Sequence, residues 1–264
     1  MTDTHPDQPS GPDADPSPAR LSAQLVVILD RPAHPGNIGA VARAMGNTGF
    51  TRLRLVAPRQ FPHPDAEAYA VGCTAILEDA EIFADLPSAL ADLHLVVATS
   101  NRPRGQRQVV VTPDELGIRL REALVPPDIR VGLLFGTERT GLLSEDVERA
   151  NLVCHIPTRG EQGSLNLAQA VLIVLYAAMQ ALQRERGMAH DPFREDLPAT
   201  AAAMEHLFAH MEETLTTIGF LKDGQKRHMM GSIKAMFQRA GLDRREVSIL
   251  RGILHEVIAW RERP

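Results

Sequence analysis

The chain has 264 residues, of which 44% are hydrophobic and 23% charged, a composition typical of a globular protein with one large domain or two modest ones. No apolar run reaches the ~18 residues that a membrane span needs, and the chain does not begin with a basic segment followed by an apolar one, so the sequence predicts a cytoplasmic protein without a transmembrane helix or signal peptide. The net charge of -5 is uneven: residues 216–264 carry ten basic and five acidic residues, which predicts a locally basic C-terminal module.

In chain order, residues 1–20 predict a disordered tail, because they contain five prolines and no branched aliphatic or aromatic residue. Runs rich in Val, Ile and Leu predict strands buried on both faces at residues 25–29, 53–56, 94–98, 131–135 and 152–156. Helical patterns lie between them, at residues 37–47, 65–71, 87–91, 113–124 and 144–150. This alternation predicts an α/β fold with a mainly parallel sheet, within a domain of residues 21–186.

The second half of the chain is predicted to be helical. Residues 164–184 form one long helical pattern that is apolar on all sides at residues 170–179, which indicates burial on more than one side and favours a homodimer interface. Residues 187–198 carry two prolines and mixed charges, as a linker does. The remainder, residues 199–264, predicts a small all-helical domain with helices at residues 199–218, 225–240 and 243–261.

Two familiar phosphate-binding patterns fail in detail. Gly36 and Gly39 follow the first strand without the GxGxxG spacing of dinucleotide-binding proteins. Gly136 and Gly141 have the spacing of a P-loop, but leucines follow where Lys and Ser or Thr would bind phosphate and magnesium. The two cysteines lie far apart and outside any metal-ligand spacing. The sequence therefore disfavours dehydrogenases, P-loop NTPases and zinc or disulfide scaffolds.

Polar residues instead follow four of the predicted strands. Asn37 and Arg43 come after the first, and the other three groups are residues 99–107, 136–138 and 163–166. Because the carboxyl ends of parallel strands share one edge of a sheet, these groups are expected to converge on one crevice.

Three segments of this set resemble a known family. Residues 37–49 read NIGAVARAMGNTG, residues 135–142 read FGTERTGL and residues 156–167 read IPTRGEQGSLNL. In order and spacing they resemble the three motifs of the SpoU branch of the SPOUT RNA methyltransferases. The resemblance implies that the catalytic domain ends in a trefoil knot, which breaks the usual rule against threaded chains.

Shorter segments are similar to the TrmJ subfamily: residues 99–104 (TSNRPR), 214–220 (TLTTIGF) and 248–254 (SILRGIL). TrmJ enzymes use S-adenosylmethionine to methylate the ribose 2′-oxygen of nucleotide 32, a cytidine or uridine, in the tRNA anticodon loop. The resemblance therefore implies a homodimeric enzyme with S-adenosylmethionine as cofactor, tRNA as partner and no metal. Two alternatives stay open: a non-catalytic RNA-binding protein on the same scaffold, and a methyltransferase acting on ribosomal RNA.

The resemblance assigns a catalytic set, which consists of Asn37, Arg43, Glu138, Ser164 and Asn166. Arg43 is implied to lie beside the target ribose; because a guanidinium is a poor general base, we expect it to bind phosphate and stabilise the developing alkoxide. Plainer roles compete with these. Arg43 could form a surface ion pair, Asn37 and Ser164 could be helix N-caps, and Glu138 could pair with a nearby surface arginine.

The remaining assignments concern the two ligands. A cofactor pocket is implied at Thr99, Ser100, Asn101, Gly136, Ile156, Gly163, Ser164 and Leu165. RNA phosphates are expected to contact Arg102, Arg104, Arg107, Lys222, Lys226 and Arg227. The acidity of the catalytic domain does not contradict this expectation, because phosphate binding depends on the local potential.

Overall fold

The structure is a computed structural model, and it describes residues 17–101, 108–124, 126–159, 164–183, 197–222 and 224–261. Its centre is a seven-stranded sheet in which every pair of neighbouring strands is parallel, in the order β3-β2-β1-β6-β4-β7-β5. The strands are β1 (Leu25–Asp30), β2 (Arg52–Val56), β3 (Glu81–Phe83), β4 (Leu95–Thr99), β5 (Val109–Val111), β6 (Val131–Phe135) and β7 (Leu152–Cys154). The predicted α/β fold with a mainly parallel sheet is confirmed.

Eight helices accompany the sheet in the described part of the chain. They are α1 (Pro18–Ala23), α2 (Pro35–Thr48), α3 (Pro64–Ala70), α4 (Thr74–Glu78), α5 (Leu86–Leu90), α6 (Pro113–Ala123), α7 (Ser144–Val147) and α8 (Leu167–Gln183). Three more follow, namely α9 (Ala201–Thr217), α10 (Lys226–Ala240) and α11 (Arg244–Arg261).

The sheet is covered on both faces, which explains why its strands read as continuous apolar runs. On one face a large cluster includes Met45 of α2, Leu120 of α6 and Leu175 of α8, each fully buried. On the other face a smaller cluster includes Leu90 of α5 and Val147 of α7. Every residue of β1 and β6 is buried, so the two strands that precede the predicted polar loops form a rigid base.

The structure corrects several predicted boundaries. The edge strands β3 and β5 and the helix α4 were not predicted, because elements of three to five residues are too short to show a hydrophobic period. β7 ends at Cys154 and α8 begins at Leu167, so the segment between them is longer than predicted. Ser17 accepts a hydrogen bond from the Arg20 N–H and begins α1, whose Leu21 joins the core. The predicted tail boundary therefore moves from residue 20 to residue 17, and residues 1–16 lie outside the described residues.

The C-terminal helices have a separate, smaller core that includes Leu207, Phe208 and Met230. They pack on the α5 and α7 side of the sheet, where the Ala201 N–H donates to Leu93 O (2.7 Å) and Arg149 pairs with a glutamate of α9. Residues 197 and 198, at the end of the predicted linker, already pair with the start of α11. The rest of that linker lies outside the described residues. Within the described residues, no helix is both long and apolar enough to cross a membrane.

Candidate active site

The predicted site residues follow strands that are neighbours in the sheet. β1, β6, β4 and β7 lie side by side and run in the same direction, so their carboxyl ends share one edge. Asn37 lies in the first turn of α2 after β1, Glu138 lies in the loop after β6, and Asn166 lies immediately before α8. The structure thus brings together three segments that are far apart in the sequence.

Glu138 is the centre of a hydrogen-bond network at this edge. Its carboxylate accepts hydrogen bonds from the N–H groups of Ala33 (3.0 Å) and His34 (3.1 Å) and from Asn37 Nδ2 (3.0 Å). Partial burial acts to raise the pKa of Glu138, but the accepted hydrogen bonds outweigh it and lower the pKa below its usual range. Glu138 is therefore a carboxylate at neutral pH that orients backbone and amide groups, and the alternative ion pair with a nearby arginine is not found among the described residues.

Asn37 connects Glu138 to the start of α8. While its Nδ2 donates to Glu138, its Oδ1 accepts a hydrogen bond from Asn166 Nδ2 (3.0 Å). Asn166 Oδ1 in turn accepts from the N–H groups of Ala168 (2.9 Å) and Gln169 (3.4 Å), so Asn166 is the N-cap of α8. One chain of hydrogen bonds therefore joins all three motif segments.

Two capping roles that the sequence allowed are wrong. α2 begins at Pro35, which suits the first helical position because it has no N–H to satisfy. Asn37 is consequently inside the first turn, and its side chain contacts Glu138 instead. Ser164 lies three residues before Leu167, the first residue of α8, and therefore cannot cap that helix. The Ser164 side chain is exposed and makes no hydrogen bond with any described residue.

The turn that carries Glu138 is tightly folded. The Gly141 N–H donates to Thr137 O (2.9 Å), and Gly141 adopts a left-handed φ of 68°. A Cβ atom added to Gly136 would lie 2.2 Å from the backbone carbon of Gly141, so only glycine fits at the end of β6. The turn therefore sets the direction in which Glu138 leaves the sheet.

Arg43 lies on α2 but outside this network. It is six residues after Asn37, about 9 Å further along the helix axis. Its side chain is exposed and forms neither a hydrogen bond nor an ion pair with any described residue. The competing reading as a surface ion pair is thus not supported among the described residues, and the guanidinium is available to an anionic ligand.

Two of the predicted cofactor residues hold the strand ends together. The Thr99 hydroxyl donates to Leu134 O (3.0 Å), which ties β4 to β6. The Ser100 N–H donates to Cys154 O (3.0 Å), and His155 Nδ1 lies 3.2 Å from Ser100 O, which ties β4 to β7. The rim of the predicted pocket is therefore built from three neighbouring strand ends.

Other predicted cofactor residues keep their backbone groups free. Ile156 and Leu165 are half-buried, and neither these two nor Ser164 forms a hydrogen bond with another described residue. Asn101 is exposed, and Gly163 lies outside the described residues. Free backbone donors and acceptors beside apolar side chains are what a heteroaromatic ring with polar edges requires.

The predicted RNA-binding residues are only partly described. Lys222 is exposed in the loop between α9 and α10, and Arg227 is exposed on α10, whereas Lys226 pairs with Glu212 (3.0 Å). The basic module is therefore partly neutralised by its own helix α9. Three other predicted residues lie outside the described residues: Arg102, Arg104 and Arg107.

Sequence reasoning missed two features of this edge. The donors to Glu138 include the backbone N–H groups of Ala33 and His34, which no side-chain pattern reveals. A partial signal was present in Pro35, because a proline at a helix start leaves the preceding N–H groups outside the helix. His155 was also missed, since a single histidine after a strand has no distinctive spacing.

Two family descriptions match the chain. Residues 24–176 match the SpoU rRNA Methylase family. Residues 202–263 match the family described as the tRNA methyltransferase TrmJ C-terminal domain. The first match spans the sheet and the network around Glu138, and the second spans α9 to α11.

Proteins that are similar over most of the chain agree with these two family matches. The chain is 38% identical over 240 residues to the tRNA (cytidine/uridine/adenosine-2'-O-)-methyltransferase TrmJ of Pseudomonas aeruginosa, covering 88% of this chain and 93% of the relative. It is 36% identical over 233 residues to the tRNA (cytidine/uridine-2'-O-)-methyltransferase TrmJ of Pectobacterium atrosepticum, covering 88% and 95%. The crystal structure of TrmJ from Z. mobilis ZM4 is similar with a TM-score of 0.76 and 34% identity, covering 89% of this chain and all of that one.

Proposed function

This chain belongs to the SpoU methylase family, and from this premise we propose that it is a tRNA 2′-O-methyltransferase that uses S-adenosylmethionine. Its target is nucleotide 32 of the anticodon loop, a cytidine or uridine, and its site of action is the cytoplasm, where tRNA is found. The TrmJ C-terminal domain supports tRNA over ribosomal RNA, although the family description names the latter.

The observation that carries this proposal is the chain of hydrogen bonds from Glu138 through Asn37 to Asn166. A non-catalytic RNA-binding protein on this scaffold would have no need to keep all three motif segments joined at the carboxyl edge. Arg43 adds an exposed cation beside them. These features together support an enzyme.

The residues at the predicted pocket fit S-adenosylmethionine. The adenosine part needs apolar contact and backbone hydrogen bonds, and Ile156 and Leu165 are half-buried with backbone groups that bond to no other described residue. Thr99, Ser100 and Gly136 would form the opposite rim. When bound, the cofactor supplies a methyl group on a positively charged sulfur.

The chain's own residues then have to align the ribose and support its oxygen. Arg43 binds the phosphate next to the target and stabilises negative charge on the 2′-oxygen as its proton passes to solvent water. Glu138 fixes Asn37, and Asn37 fixes the start of α8, so the residues before that helix present their backbone in one conformation. Alignment of the two reactants is the main demand of a direct transfer.

A homodimer is part of the proposal, and α8 supports it. Leu172, Ile173 and Tyr176 of this helix are 41%, 38% and 51% exposed, while the opposite side is buried in the core. Such a cluster of exposed apolar side chains favours an interface. Leu172→Glu should therefore give a monomer in sedimentation, whereas Ile82→Glu, at a 57% exposed apolar residue of the edge strand β3, should leave the dimer intact. A monomeric wild-type protein with full activity would overturn this part.

The trefoil knot is also a proposal, supported by the order of the strands. β7 lies between β4 and β5, which are consecutive in the chain, so the chain has to pass β7 between these two strands. The chain that leaves β7 towards α8 would pass through this connection. The threading would be probed by cross-linking the two chain ends of the folded protein, unfolding it, and comparing its refolding rate with that of the open chain.

Mass-spectrometric nucleoside mapping tests the function directly. The protein would be incubated with labelled S-adenosylmethionine and either tRNA or ribosomal RNA, and the label mapped to a nucleotide. We expect a 2′-O-methyl group at tRNA position 32 only. Label on ribosomal RNA would favour the alternative substrate, and the absence of label on either RNA would favour the non-catalytic alternative.

A further inference from the structure

An ion-pair network lies beside the loop that donates to Glu138. Arg31 directly follows β1, and its Nε and Nη2 atoms lie 2.9 and 2.5 Å from Asp30 Oδ2. The same Nη2 lies 2.6 Å from Asp146 Oδ2. Asp30 ends β1 and is 1% exposed, and Asp146 lies in α7 and is 7% exposed. Arg31 therefore joins the chain after β1 to the chain after β6.

The backbone of Arg31 needs these contacts. Its φ of 49° lies in the left-handed region, which residues other than glycine adopt only at a cost in free energy. The Arg31 N–H donates to Val56 O (2.8 Å), and the Arg59 N–H donates to Pro32 O (3.1 Å), so β2 and the loop after it support one side of this turn. The carboxylates of Asp30 and Asp146 support the other side of the turn by binding the Arg31 side chain.

Removal of the guanidinium would leave two buried carboxylates facing each other. Burial raises the pKa of Asp30, the Arg31 side chain acts in the opposite direction, and the charge of Asp146 acts to raise it further. Among the described residues, Arg31 is the cation that pairs with each of these carboxylates, and it stays protonated at any pH of interest. Without it, repulsion would drive the two loops apart.

We propose that Arg31 is a positioning residue for methyl transfer, which holds the N–H groups of Ala33 and His34 against Glu138. Those two N–H groups lie two and three residues after Arg31, and both donate to Glu138. If the loop moved, Glu138 would keep Asn37 as its side-chain donor but lose the backbone groups that orient it. This inference rests on the proposed function.

Single-turnover methyl transfer tests the proposal, because it separates the chemical step from binding. In the full-length protein, Arg31→Met should slow the step about tenfold or more, while the affinity for S-adenosylmethionine stays within about threefold. Arg130→Met is the matched control: Arg130 is similarly exposed and also pairs with an aspartate, but it precedes β6 at the opposite edge of the sheet. It should leave the rate unchanged.

Partial rescue distinguishes positioning from packing. Adding Asp146→Asn to Arg31→Met removes one of the two facing charges, so the double variant should be faster than the single one. The rate of Arg31→Met relative to the wild type should also rise as the pH falls, because protonation of Asp30, whose pKa burial raises, relieves the repulsion. A rate within twofold of the wild type, or no rescue by either route, would overturn the proposal. If Arg31→Met does not fold, Arg31→Lys, which keeps the charge without the planar fork, replaces it in the rate and exchange measurements. The two rescue tests do not apply to Arg31→Lys, because a lysine still neutralises the carboxylates.

Amide hydrogen exchange makes the test independent of activity. Arg31→Met should speed exchange at Ala33 and His34 in the protein without ligands, whereas Arg130→Met should not. If the wild type methylates no RNA, the proposed function is refuted. Faster exchange in Arg31→Met would even then support the role of Arg31 in holding the loop. Unchanged exchange would refute that role even in an active enzyme.

Discussion

The network around Glu138 and the exposed arginines Arg43 and Arg227 use their polar groups in opposite ways. The side chains of Glu138, Asn37 and Asn166 form hydrogen bonds with one another and with nearby backbone groups. Arg43 and Arg227 are exposed and pair with no described residue. The protein therefore orders this edge of the sheet with internal hydrogen bonds, whereas Arg43 and Arg227 stay unpaired among the described residues.

The largest expected effect comes from Arg43. Arg43→Ala should reduce methyl transfer about 100-fold or more, since the charge that we propose to stabilise the reacting oxygen is lost. Affinity for S-adenosylmethionine should stay within a few-fold, because Arg43 lies outside the network and the cofactor rim. Arg43→Lys should also be slow, because it lacks the planar fork that binds phosphate. Near-normal turnover of either variant would contradict the proposed role of Arg43 in methyl transfer. Calorimetric titration of each variant with the cofactor serves as the control.

Glu138→Gln should have the next largest effect, because it removes the charge that three donors share. We expect the transfer rate to fall about tenfold or more, together with a loss of stability. The folded-state pKa of Glu138 lies below its ordinary value of 4.5, so its contribution to stability is fully present above about pH 4.5 and is lost as the pH falls through the lower folded value.

Urea unfolding at several pH values checks the sign of this effect. The stability difference between the wild type and Glu138→Gln should be largest near neutral pH and should shrink on acidification. A difference that grows as the pH falls would contradict the lowered pKa.

The C-terminal cations should have a smaller effect that appears in binding. The double variant Lys222→Gln with Arg227→Gln should weaken tRNA binding and flatten the plot of log affinity against log salt by about 0.7 to 0.9 per lost phosphate contact. The control, Arg52→Gln with Arg130→Gln, removes the same charge where the strands begin. Equal losses of tRNA affinity in the double variant and in the control would mean that only the net charge matters. No loss of affinity in either protein would mean that residues 102–107 bind the RNA instead.

The smallest effect separates the two roles of Asn166. Asn166→Asp keeps the N-cap oxygen but loses the amide that donates to Asn37, so stability should change little while the transfer rate falls. Asn166→Ala loses both and should also cost about 1 kcal/mol of stability. Thermal unfolding and single-turnover rates measured on both variants test this separation. Equal rates for the wild type and Asn166→Asp would show that the link to Asn37 is dispensable.

The site itself was partly predictable. The order of strands and polar loops placed Asn37, Glu138 and Asn166 at one edge before any contact was known. Their actual partners were not predictable, because Glu138 bonds mainly to backbone groups, and Asn37 turned out to lie inside a helix turn. Local sequence allows the capping and ion-pair alternatives, but it does not show these contacts with backbone groups and distant residues.

The sequence by itself determined the class of fold, the central buried strands and the segments that carry the chemistry, because hydrophobic period and motif spacing are local properties. Only the tertiary structure decided which of these segments touch. β1 pairs with β6 across about a hundred residues of chain, and Arg31 meets Asp146 over a separation of 115 residues. Contacts between distant segments depend on how buried strands stack in the sheet, and no local pattern records that order.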